Sequence, residues 1–158
     1  LEILPHLIKA GYNSKNVHVV WVLTNYAVAI KQNRDPERGR IVPEDIMLKT
    51  HEGAANTVYN FIKTGTPRGV NGGVYIILGG KKNTVLYTDR QGKPLRTGKN
   101  KDQFVVKSFR YLTMKEPGSP MNKETGLQKQ ALEWIHQNAP RTLTNKILFE
   151  PRREKVSR

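Results

Sequence analysis

Arg34, Arg38 and Arg40 place three guanidinium groups within seven residues. Each is a planar fork that matches two phosphate oxygens at once, and three held so close repel one another unless an anion lies among them. Gly39, between two of them, lets the backbone approach a ligand closely. The pattern points to multidentate phosphate binding. The other reading is a solvated connection between helices in which Asp35 and Glu37 offset part of the charge, and spacing alone leaves both open. Other chemistry is sparse. The chain has no cysteine, which excludes a disulfide scaffold, a Cys-ligated zinc site and thiol catalysis. The histidines at 6, 18, 51 and 136 form no H-x-x-x-H or H-x-x-E-H pair for zinc, and no G-x-S-x-G elbow is present. The phosphate-cradling run G-x-x-x-x-G-K-[ST] is absent as well. Thr97-Gly98-Lys99-Asn100 lacks its first glycine and its hydroxyl residue, and Gly69-Val70-Asn71-Gly72-Gly73 lacks its lysine.

The cations are unevenly spread. Of 158 residues, 27 are Lys or Arg and 13 are Asp or Glu, a formal charge of +14. Residues 1–89 hold 11 basic and 7 acidic side chains, a net of +4, and residues 90–158 hold 16 and 6, a net of +10. Such an excess attracts polyanions by counterion release, although lysines also serve solubility alone. No apolar run approaches the roughly 18–20 residues that cross a bilayer, and no charged leader precedes an apolar core. A cytoplasmic protein without a membrane partner is expected.

The elements that must position the arginines read as an alternating α/β pattern. Leu1, Ile3, Leu4, Leu7 and Ile8 have helical spacing and stop at Gly11. Val17 to Leu23 is nearly all apolar, as in a strand of a parallel sheet covered by helices on both sides, with His18 as a buried, hydrogen-bonded core residue. Thr24-Asn25 can cap a helix from Tyr26 to about Asn33. Pro43-Glu44-Asp45 opens a second helix that runs to Gly65 with apolar residues at helical spacing. Val74–Leu78 and Thr84–Thr88 read as strands of a hairpin turned by Gly79 to Asn83. Residues 93–103 are polar and expected to be mobile. Phe104–Leu112 reads as a strand, with Val105, Lys107, Phe109 and Tyr111 on one face. That face is either core or an aromatic and basic surface suited to single-stranded nucleic acid. A helix over about 126–138, a last strand over 142–149 and a disordered basic tail over 151–158 complete the chain.

The run Leu7 to Gly11-Tyr12, the strand Val17–Leu23, then Asn33-Arg34, Arg38-Gly39-Arg40, Val42-Pro43-Glu44 and His51, resembles the second half of P-loop kinases of the zeta-toxin and polynucleotide-kinase type. A weaker echo lies at Val85 to Asp89. The resemblance implies a partial three-layer parallel sheet flanked by helices, with an added hairpin or meander and a C-terminal helix. Residues 1–92 would be the kinase-like half with its arginine lid, 93–150 a basic strand-plus-helix extension, and 151–158 a tail. Arg34 and Arg38 would close over the transferred phosphoryl group as catalytic lid residues. Arg40, Thr88 and Asp89 would lie on the phosphate and nucleotide side. Glu44 and His51 would face the acceptor or hold the lid helix, and for His51 a structural role is the simpler reading. ATP and Mg²⁺ are the implied cofactors, with ligands outside this chain. The implied activity is phosphorylation of a hydroxyl on a nucleotide-sugar or polynucleotide end. The implied partners are the nucleotide, an N-terminal kinase half or another chain, and DNA or RNA. Because the phosphate-cradling run is missing, either that half lies upstream of Leu1 or the chain is a degenerate kinase-like domain that only binds. From another class, a non-enzymatic nucleic-acid-binding module built on residues 93–158 accounts for the charge.

Overall fold

The computed structural model describes residues 2–150; Leu1 and the tail 151–158 lie outside the described residues. The chain is α/β, with a four-stranded mixed sheet, helices, a small antiparallel hairpin and a C-terminal helix. Helix α1 (Leu4–Lys9) begins beside Pro5 and ends before Gly11, whose φ of +83° suits glycine. Strand β1 (Val19–Leu23) follows. Helix α2 (Tyr26–Asn33) starts where the Asn25 side chain accepts the Ala27 N–H. Helix α3 (Glu44–Thr64) has Pro43 at its N-cap, Glu44 and Asp45 in its first turn, and Gly65 at its C-cap with φ +89°. These boundaries agree with the local signals to within a residue or two.

Strand β2 (Val74–Leu78) pairs in parallel with β1, Val19 opposite Val74 through Leu23 opposite Leu78. The connection α2–α3 makes this a β–α–β crossover. Gly72 and Gly73 allow the close approach at its start, since a Cβ on Gly72 would fall 2.4 Å from the Val17 carbonyl oxygen. The hairpin expected between β2 and β3 (Thr84–Leu86) does not form. Gly79 N–H donates to the Leu23 carbonyl, Gly80 takes φ +95°, and residues 81–83 form a 3₁₀ turn. The chain is thereby carried out of register with β2. The ten-residue strand β6 (Val106–Lys115) fills the gap and pairs antiparallel with both, giving the order β1-β2-β6-β3. Segment 93–150 thus supplies an inner strand of the sheet. Residues 93–103, expected to be mobile, instead form part of a two-stranded hairpin, β4 (Arg96–Thr97) with β5 (Gln103–Phe104), turned through Gly98 at φ +90° and Lys101 at φ +51°.

Alternate residues of the sheet, Leu23, Val74, Ile76, Leu78 and Met114, pack beneath α3 and α4 (Thr125–Asn138) against Val58, Ile62, Trp134 and Ile135. Each such burial contributes roughly 1.5–3 kcal/mol. The described helices leave the other face open. Val20 and Val22, expected to be covered on both sides, are 57% and 56% exposed. His18 is also exposed rather than buried, although its Nδ1 accepts the Gly73 N–H at 2.8 Å. The final strand expected over 142–149 is instead helix α5 (Leu143–Lys146) and a 3₁₀ turn over 147–149. Buried Asn145 accounts for this. Its Oδ1 accepts the Arg141 and Thr142 N–H groups, its Nδ2 donates to the Ala139 carbonyl at 2.7 Å, and Thr142 completes a capping box. Local capping overrides a weak alternation.

Candidate functional site

Because β1 and β2 run parallel, their carboxyl ends finish side by side at Leu23 and Leu78. Open α/β sheets bind ligands in the crevice at such ends. Here the crevice is a cleft of about 870 Å³ between Thr24-Asn25 after β1 and Gly79–Asn83 after β2, walled by α2 and by Asp35-Pro36 of the arginine loop. A Cβ on Gly79 would fall 2.8 Å from Thr24 Oγ1, so glycine lets the two exits meet. Asparagines brace the base. Asn25 Nδ2 donates to Asn138 Oδ1 at 3.2 Å, tying α2 to the end of α4, and Asn83 Nδ2 donates to the Gly79 carbonyl at 3.0 Å.

The cleft is cationic. Lys31, Arg34, Lys81 and Lys82 line it against the single carboxylate of Asp35. The three lysines are exposed and form no ion pair among the described residues. Arg34 is engaged, since its Nε and Nη2 donate to the two carboxylate oxygens of Glu44, the latter at 2.9 Å. Hydrogen bonding to that carboxylate raises the Arg34 pKa further, and the same contact lowers the Glu44 pKa. Asn33 closes the loop at its base by exchanging hydrogen bonds with Val42, Nδ2 to the carbonyl at 2.7 Å and Oδ1 from the N–H at 2.9 Å. Arg38 and Arg40 lie in the exposed loop so closed, without a side-chain hydrogen bond or ion pair among the described residues.

The structure therefore gathers Arg34, Arg38 and Arg40 on one loop with Glu44 at its exit, and ties Glu44 to Arg34. His51 lies apart from the cleft lining. It is half-buried, its ring edge-on to Tyr26 at 5.1 Å between centroids, and burial pushes its pKa down. Tyr26 has its pKa raised, first by burial and then by Glu44 and Glu52. Thr88 and Asp89 do not line the cleft either. Thr88 makes an isolated bridge to Pro94, and Asp89 Oδ1 accepts the Gln91 and Lys93 N–H groups at 2.9 Å, capping a turn. Lys31, Lys81 and Lys82 escaped the sequence reading. The signal for the last two is a lysine pair behind two glycines at a strand's end, a pattern that equally describes a hairpin turn.

Phosphate oxygens fit this donor set. Among the described residues no three His, Asp or Glu side chains converge. Thr97-Gly98-Lys99-Asn100 forms the β4–β5 turn rather than a strand-to-helix loop. Compared with known protein families, with characterised proteins and with solved structures, the chain matches none of them. No described helix is long and apolar enough to cross a membrane.

Proposed function

We propose that the cleft at the carboxyl ends of β1 and β2 binds the phosphates of a nucleotide, and that the chain is the lid-bearing part of a cytoplasmic, ATP-dependent kinase. The acceptor would be a hydroxyl on a nucleotide-sugar or a polynucleotide end. The observation that carries this reading is the convergence of Lys31, Lys81 and Lys82 on the cleft beside the loop of Arg34, Arg38 and Arg40. Cations at such a crevice neutralise phosphate charge, and lid arginines stabilise it further as the phosphoryl group moves. Arg38 and Arg40 are free to reach a ligand, whereas Arg34 is oriented by Glu44 and anchors the loop. ATP brings the group to be transferred; this chain's residues bind and orient it. The sequence has no G-x-x-x-x-G-K-[ST] run to cradle the β-phosphate, so phosphoryl transfer requires that part from elsewhere.

Calorimetric titration of the chain with ATP and with inorganic triphosphate tests the cleft. Lys81→Ala combined with Lys82→Ala is expected to weaken both by roughly tenfold or more, since a hydrogen bond to a charged group contributes about 1.5–3 kcal/mol. Unchanged affinity in that variant would sink the assignment. A reading as a non-enzymatic nucleic-acid module draws on the open sheet face instead.

A further inference from the structure

The described elements leave the face of the sheet away from α3 and α4 open, and that face is largely apolar. Strand register places Tyr111 beside Ile77, and Phe109 two residues before it on the same face. Phe109 is 45% and Tyr111 57% exposed, and their rings lie tilted against each other with centroids 5.6 Å apart. Lys107 is exposed next to this pair, at the bulge where the β3–β6 register shifts from Ser108 to Val106. The alternative in which these side chains form core is thereby excluded, because the residues of β6 that reach the core are on the opposite face, where Met114 is fully buried and Arg110 lies over Trp134.

We infer that Lys107, Phe109 and Tyr111 form a stacking platform for a single-stranded polynucleotide. Bases stack on exposed aromatic rings whatever their sequence, provided that cations follow the backbone phosphates. The cations are at hand. Residues 90–110 carry seven basic side chains and one acidic one, and none of them takes part in an ion pair among the described residues. The β4–β5 hairpin that holds several of them continues from this end of the sheet, through Val105 N–H to the Leu95 carbonyl and Tyr87 N–H to the Val105 carbonyl. There Arg96 lies 4.3 Å from the ring centroid of Phe104. Charge also selects between occupants. Two copies docked on this face by a twofold axis would bring like cations together, and the strand residues presented there, from Val20 and Val22 through Tyr75 and Ile77 to Thr113, include no carboxylate to pair them. A polyanion meets the opposite situation. The inference does not rest on the cleft, which lies at the strand ends.

The test is fluorescence anisotropy of the whole chain with labelled oligothymidylate and oligouridylate of roughly 12 nucleotides, at two salt concentrations. Wild type should bind both, more weakly at high salt, with log affinity falling linearly against log salt. Phe109→Leu and Tyr111→Leu keep an apolar strand residue but remove the π face, and each should weaken binding by roughly 5- to 150-fold. Lys107→Gln should shift the salt slope by about 0.7. Coincident thermal melts would show that the sheet is intact in all three. Leucine variants that bind like wild type would overturn the platform and leave only diffuse attraction to cations. A wild-type dimer in sedimentation that Phe109→Leu dissolves, with oligonucleotide affinity unchanged, would overturn it in favour of a second copy.

Discussion

The two faces of one sheet follow opposite rules, although the same strands build both. Toward α3 and α4, Val74, Ile76 and Met114 are fully buried and met by Ile62, Trp134 and Ile135. On the other side Val20, Val22, Phe109 and Tyr111 are about half exposed. The side chains are of similar apolar character, so composition does not separate the faces; the placement of helices does. The covered face supplies the stability of the fold, and the open one is free to be spent on recognition. Nearly continuous apolar strands are ordinarily those buried on both sides. An open face made of such strands is therefore the more informative of the two.

The largest expected effect tests that division directly. Ile76→Ala and Met114→Ala each remove packed atoms from the covered face and should cost about 2–5 kcal/mol. Val22→Ala and Tyr111→Ala on the open face should each cost under about 1 kcal/mol. Urea midpoints of the four variants read this out. Equal losses on both faces would mean that the open face is packed in solution, and the comparison would break.

Between these extremes lies Lys115, a cation on the covered side of the balance. It is 5% exposed and has no carboxylate partner among the described residues, yet its Nζ donates to Asn71 Oδ1 at 2.9 Å and to the Gly72 carbonyl at 3.0 Å. It pins the loop before β2 to the end of β6, where the β2–β6 register shifts. Lys115→Met keeps the stem but strands those acceptors, at a cost of about 1–3 kcal/mol. A loss confined to the loop's hydrogen-exchange protection, with the global midpoint unchanged, would make the contact local rather than part of the fold.

The helices and the parallel pair were legible because their instructions are local. Asn25 caps α2, Pro43 and two acids open α3, and Gly65 ends it. The position of β6 was not legible, because the choice of a strand's neighbour is made across the sheet. Nothing in Gly79 to Asn83 announces that the next strand will pair with β6 rather than with β2. The open face was obscured for the same reason: apolar residues on both sides of β1 predict cover, and cover depends on elements outside the strand. At the site, the arginine loop stood out by composition and the crossover located the crevice. Its lysines did not, because Lys81 and Lys82 enter the cleft only through the parallel register that sets the β2 exit beside Thr24.

The smallest expected effect is a pH dependence, and it separates the covered side from the site. Burial holds the His51 pKa below its ordinary 6.5, so the folded state favours the neutral ring. Above that value both folded and unfolded chains carry neutral His51, and its contribution is fully present. As the pH falls below it, the unfolded chain binds the proton first, and stability is lost until the folded pKa is passed. His51→Phe keeps an edge-on ring against Tyr26 but cannot titrate. Between about pH 7 and about pH 5 the urea midpoint of wild type should therefore fall further than that of His51→Phe, the difference isolating this one group from the other titrating side chains. Parallel curves would place His51 in solvent-like surroundings, returning it to the acceptor side of the lid. A steeper wild-type curve keeps it as a packing residue that couples α2 to α3, behind the cleft rather than in it.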